Sequence, residues 1–127
     1  ETLKAIWKPL NPAAIPEIVA AGKTVFVDVT ADWCVTCLIN KSVVMEDETV
    51  LARLGKNDVI AMQADWTRPN ENISRYLAHF GRFGIPFNVV YGPTEPSGFV
   101  LPELLTKRTV MQAFDKATDS STPMAKK

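Results

Sequence analysis

Cys34 and Cys37 stand in a C-x-x-C and are the chain's only cysteines. Two cysteines cannot build the multi-bridge framework of a small secreted scaffold. They can close one local bridge, form a redox couple, or supply half of a metal site. A thiol at the start of a helix meets unpaired backbone N–H groups and the positive end of the helix dipole, and both stabilise a thiolate. A free thiol has a pKa of about 8.5, and that setting lowers it. Cys34, nearer the helix end and solvent, is then the attacking sulfur, and Cys37 resolves the mixed disulfide. A zinc site needs two further ligands, yet His79 is the only histidine and no second cysteine pair exists. An inert structural bridge over so short a span removes little chain entropy. The redox couple is the leading reading.

Other residue types nearby bear on that chemistry. Asp28 lies inside the apolar run Val25-Phe26-Val27-Asp28-Val29-Thr30. Its carboxyl either reaches the strand's edge and is solvated, or is buried, where a raised pKa equips it to shuttle a proton. Trp33 adjoins Cys34 and is either core or a partly exposed contact surface. Asp32 is a solvated acid or a tuner of the local field. Lys41 follows Cys37 by four positions and Cys34 by seven, which on a helix is their face. A cation pointing back from there favours the thiolate. Trp66 and Phe87 read as packing residues, and His79 as a surface or partly buried helix residue. The methionines, Met45, Met62, Met111 and Met124, are scattered and form no methionine-rich copper site.

The positioning elements follow from pattern. Ala13 to Ala21 forms a short helix closed by Gly22. Val25 to Thr30 is a strand buried on both faces. Helical character begins near Cys34, with Ile39 and Val43 on one stripe. Asp47 caps a second helical piece carrying Val50, Leu51 and Leu54, closed by Gly55. Val59 to Asp65 is a second buried strand, and Asn70 to Phe80 a helix with Ile73, Leu77 and Phe80 on one side. Phe87 to Tyr91 is a third strand. Gly92 to Gly98 is a turn by composition, Phe99 to Leu101 a short fourth strand, and Thr106 to Ala117 the last helix. Alternating β and α predicts an α/β mixed sheet of about four to five strands, with helices on both faces. The short link between the last two strands makes them antiparallel.

A chain of 127 residues, 46% of them hydrophobic, amounts to one packed domain. Positive and negative side chains balance at 14 each, which argues against nucleic-acid or polybasic membrane-surface binding. No run of about 18 apolar residues is present, so no spanning helix is predicted. Glu1-Thr2-Leu3-Lys4 has no signal-peptide pattern; the expectation is a cytosolic protein, or a mature or excised domain. The division expected is an extension over 1–12, a domain over 13–117 and a flexible tail over 118–127.

Val27-Asp28-Val29 through Ala31-Asp32-Trp33-Cys34-Val35-Thr36-Cys37, with a later Ile85-Pro86 before a strand, resembles the thioredoxin superfamily. Ala64-Asp65-Trp66-Thr67 and Phe83-Gly84-Ile85-Pro86 are more particularly similar to the C-terminal thioredoxin-like domain of the DsbD/ScsB family of bacterial membrane thiol–disulfide reductases. The resemblance implies a thioredoxin-like fold and a protein-disulfide reductase. Such a domain takes electrons from a transmembrane domain of the same parent. It passes them to a periplasmic thioredoxin-like or immunoglobulin-like domain. It further implies a periplasmic, membrane-tethered location for a soluble monomeric domain. No cofactor is implied beyond the redox-active disulfide. In that family the residue matching Asp28 accepts the proton of the resolving cysteine. The resemblance implies that Pro86 is cis and that the Ile85 backbone pairs with an incoming extended peptide. Leu38 and Lys41 depart from the DsbD pattern, where a lysine and an acidic residue are usual, and favour the ScsB-like branch. Two alternatives stay open: a free-standing thioredoxin or disulfide isomerase, and a copper- or zinc-binding domain using the reduced pair, which the family's link with copper tolerance motivates.

Overall fold

β2 (Thr24–Thr30) is rich in β-branched residues and buried along almost its whole length, and the other elements assemble around it. The computed structural model describes residues 6–118. In chain order they form β1 (Trp7–Pro9), a 3-10 turn (Pro12–Ala14), α1 (Ile15–Ala20), β2, and α2 (Val35–Asn40), which runs on into a π-helical turn (Lys41–Met45). Then come α3 (Glu48–Leu54), β3 (Val59–Asp65), α4 (Glu71–His79), β4 (Phe87–Gly92), β5 (Glu95–Val100) and α5 (Lys107–Thr118). The sheet order is β1-β3-β2-β4-β5. β3 pairs parallel with both β1 and β2, whereas β4 is antiparallel to β2 and to β5. A parallel β2–β3 pair needs a crossover, and α2 and α3 supply it. The expected mixed sheet is present.

Alternation along β2 divides the core in two. Phe26 packs with Val44, Leu54, Val110 and Phe114 on the side covered by α3 and α5. Val25, Val27 and Val29 pack with Ile15, Ile73 and Leu77 beneath α1 and α4. Asp28 shares the parity of Phe26, so its side chain belongs to the first side. The Asp47 cap read from sequence is in place, and Asn70 caps α4. Asp47 accepts the N–H groups of Thr49 and Val50, and Asn70 accepts that of Ile73. Gly22 follows α1 with φ +91°, a conformation that favours glycine.

Three expectations need correction. The stretch 1–12 is not merely an extension, because Trp7–Pro9 forms an edge strand in register with Ala61–Gln63. The last strand begins at Glu95 rather than Phe99. In both cases a proline disguised the strand; Pro9 and Pro96 lie on edge strands, where a missing N–H is tolerated. Ile39 and Val43 do not form the buried stripe of the active-site helix, being 45% and 61% exposed. The π turn shifts the helical phase, and the buried positions become Cys37, Asn40, Val44 and Met45. The tail expected over 118–127 lies outside the described residues except for Thr118, which ends α5.

Candidate redox site

β2 delivers the chain to Ala31 at its C-terminal end, and α2 starts four residues later. Cys34 is the N-cap of α2, in an extended conformation, and its Sγ accepts the Cys37 backbone N–H at 3.1 Å. The two sulfurs are joined in a disulfide, with Cα atoms 5.2 Å apart. Burial does not separate the two residues as the sequence suggested, since Cys34 is 6% exposed and Cys37 5%. The cap does separate them: one sulfur has a backbone N–H aimed at it, in the position where a negative charge is stabilised.

Ile85 packs against Ala31, Cys34 and Cys37, and the peptide bond from Ile85 to Pro86 is cis. Trp33 is 60% exposed, which places it as surface rather than core, and its indole N–H donates to the Thr67 carbonyl at 3.0 Å. Cys34, Cys37 and Ile85 thus cluster at the end of β2, with the exposed Trp33 adjoining Cys34 in the chain and the buried Pro86 following Ile85. Asp32 is exposed beside it. Trp66 and Phe87 belong to the α1/α4 side of the core, and His79 is exposed on α4.

Asp28 is buried in a polar row across the sheet. Its register partners are Gln63 on β3 and Asn88 on β4. Gln63 Nε2 donates to one carboxyl oxygen at 3.0 Å and Asn88 Nδ2 to the other at 2.8 Å. Burial pushes the Asp28 pKa up, opposed by those two hydrogen bonds and by the positive charge of Lys41. Asp28 and Lys41 line one cleft of about 510 Å³, with Leu38 from α2 and Gln63 from the sheet floor in its wall. Asp32, Glu46 and Asp65 line it too, so among the described residues Lys41 is its only cation. Lys41 thus shares a cleft with the buried carboxyl, and its positive charge favours the ionised form of Asp28.

Sequence reasoning missed Gln63, Asn88, Asn40 and Thr67. Gln63 and Asn88 carried the same signal as Asp28, a polar side chain inside an apolar strand. Asn40 is buried, donates to the Glu103 carbonyl at 2.8 Å and accepts the Leu105 N–H at 3.0 Å, tying the loop before α5 to the redox helix. Nothing local in the sequence marks it. Among the described residues, no group of three or more His, Cys, Asp or Glu is placed to hold a metal ion.

A mixed sheet whose central strand leads into a helix capped by a C-x-x-C disulfide, beside a cis-proline, defines a thioredoxin-like domain. The thioredoxin-like family model matches residues 7–93, and the chain belongs to that family. It is 33% identical over 78 residues to the thiol:disulfide interchange protein DsbD of Ralstonia nicotianae, covering 61% of this chain and 12% of that protein. It is 35% identical over 81 residues to DsbD 1 of Pseudomonas aeruginosa, covering 64% of this chain and 13% of that protein. The chain thus spans about an eighth of the length of these relatives. The oxidised C-terminal domain of Neisseria meningitidis DsbD superposes with a TM-score of 0.66 at 20% identity, over 83% of this chain and 90% of that one. The reduced form gives 0.63 over 83% and 91%, also at 20% identity. The thioredoxin-like fold and the DsbD-type resemblance read from the motifs both hold. No helix among the described residues is long and apolar enough to cross a membrane.

Proposed function

We propose that this domain is a protein-disulfide reductase that relays electrons from a membrane-embedded domain of its parent protein to periplasmic partners. The observation that carries the reading is the Cys34 sulfur at the N-cap of α2, accepting the Cys37 N–H. In the reduced state the Cys34 thiolate attacks one sulfur of the partner's disulfide. A Cys34–partner S–S bond forms, the partner's own bond breaks, and its second sulfur leaves as a thiolate that takes up a proton. Cys37 then gives its proton to Asp28 and attacks Cys34 Sγ. The Cys34–Cys37 bond forms, and the partner's first sulfur leaves as a thiolate and takes up a proton. Two electrons have passed to the partner, now a dithiol. The dithiol of the membrane domain restores Cys34 and Cys37 by the same exchange in reverse.

Trp33, Ile85 and Pro86 form the contact surface for the partner chain, and the Ile85 backbone pairs with an extended segment. Lys41 adjusts Asp28, and Asp32 adds negative charge at the mouth of the cleft. The acceptor is a thioredoxin-like or immunoglobulin-like domain, and the location is the periplasmic side of the inner membrane. Names of the curated relatives support the class of reaction, while Leu38 and Lys41 favour the ScsB-like branch. The reading predicts that protein reduced with dithiothreitol and freed of it cleaves insulin disulfides stoichiometrically, losing both of its own thiols as the insulin B chain precipitates. Insulin left intact beside a fully reduced Cys34 and Cys37 would overturn it.

A further inference from the structure

Thr67 lies in the turn after β3, far in sequence from the redox loop, yet three bonds from this turn hold that loop. Its Oγ1 accepts the Asp32 backbone N–H at 2.9 Å, and its carbonyl accepts the Trp33 indole N–H at 3.0 Å. The Trp66 N–H donates to the Thr30 carbonyl at 2.7 Å, joining the two segments just upstream. Thr67 is itself anchored, because its hydroxyl and its N–H both donate to Asp65 Oδ1, at 2.5 and 2.9 Å. Those two bonds hold the Asp65 carboxyl below the usual carboxylate range. It is therefore an ionised acceptor at neutral pH, and hydrogen bonds to an ionised acceptor are the stronger kind.

An indole 60% exposed is not packed tightly enough to hold one rotamer by burial alone. Here its polar tip is fixed while its apolar face stays open. Aromatic anchors of this kind bind well because little side-chain freedom is left to lose on association. We propose that Thr67 is a positioning residue that fixes the Asp32–Trp33 segment and so presents the Trp33 indole as a rigid anchor for polypeptide flanking the disulfide to be exchanged. The inference rests on the reductase reading and adds to it a preference for protein disulfides over small ones. A small disulfide engages the sulfurs and has no flanking chain to lie on the indole.

The test compares Thr67→Val with Thr67→Ser, using insulin and oxidised glutathione as substrates and dithiothreitol as reductant, with the uncatalysed rate subtracted. Valine keeps the branched shape but removes the hydroxyl that holds Asp32 and grips Asp65; serine keeps the hydroxyl. The expected result is a fall of about five- to tenfold in the ratio of kcat/KM for insulin to that for the small disulfide in the valine variant, the loss of roughly one hydrogen bond. The loss lies mainly in KM, and serine restores the ratio. An unchanged ratio overturns the proposal, as does a serine variant that behaves like valine. Exchange of the Trp33 indole N–H, followed by NMR, reads the indole's own bond to the Thr67 carbonyl, which the hydroxyl supports by holding the adjoining Asp32 N–H, without any substrate. It quickens about fivefold or more in the valine variant if Thr67 fixes the indole through its hydroxyl, and stays unchanged if it does not. Should wild-type protein fail to reduce insulin, the reductase reading fails, and the exchange measurement alone decides the role of Thr67.

Discussion

Cys34→Ser eliminates disulfide exchange, whereas Cys37→Ser leaves the attack intact and stalls the reaction at a mixed disulfide. Losing a covalent nucleophile costs about 10³-fold or more. The structure makes the first variant a clean test, because serine is itself a preferred N-cap and its Oγ can accept the N–H of residue 37 as Cys34 Sγ does now. The helix should therefore start where it does in the native chain. Loss of the bridge itself costs little stability, since it closes a sequence separation of only 3. Non-reducing electrophoresis after mixing with insulin checks both outcomes: a band of insulin-linked protein with Cys37→Ser, and none with Cys34→Ser. A trapped adduct on Cys37 in the Cys34→Ser variant would reverse the roles.

Asp28→Asn stabilises the protein at neutral pH while slowing the resolving step. Burial raises the Asp28 pKa in the fold above its ordinary value of 3.8, against the pull of Gln63, Asn88 and Lys41. Between the ordinary value and the raised one, the folded state binds more protons than the unfolded chain. Stability therefore falls as pH climbs through that window and is flat above it. At pH 7 the buried carboxylate is a cost, because burial disfavours its charge, and replacing it with a neutral amide relieves that cost. The local hydrogen bonds allow the change. Asn88 Oδ1 is buried with no partner, so the Asn88 amide can turn over and accept from the new amide while Gln63 continues to donate. Denaturant melts across pH check the sign: wild type loses stability through the window, the asparagine variant does not, and the two converge below the ordinary carboxyl pKa. Lys41→Met removes a cation from a cleft that Asp32, Glu46 and Asp65 also line, and so extends the wild-type decline to higher pH. The loss of a proton acceptor shows as longer-lived mixed disulfide in rapid-quench experiments. An asparagine variant less stable than wild type at pH 7, with the same pH dependence, contradicts this account of Asp28.

Both groups in these experiments are legible in the sequence alone. A C-x-x-C at a strand-to-helix junction and a carboxyl inside an apolar strand are local patterns, and the elements around them obey period and capping rules. Asp47 and Asn70 cap their helices because Asp and Asn satisfy orphan N–H groups whatever the tertiary context. What stayed hidden depends on contacts distant in sequence. Trp7–Pro9 becomes a strand because β3 offers an edge, which no propensity of a proline-rich segment reveals. The π turn at Lys41–Met45 inverts the reading of Ile39 and Val43, since one extra residue in a turn rotates everything after it. Gln63 and Asn88 become partners of Asp28 only through sheet register. Asn40 and Thr67 hold loops far from them in the chain, and no neighbouring residue announces either role.

The reduction potential of the Cys34–Cys37 couple, measured by equilibration with glutathione, tests the central claim most directly. Related couples run from about −270 mV for thioredoxin, a reductant, to about −120 mV for DsbA, an oxidant. A value toward the thioredoxin end is predicted, because a relay must release electrons to oxidised partners outside the membrane. A value near the DsbA end means that the domain draws electrons in and makes disulfides, and the reductase function would then be withdrawn.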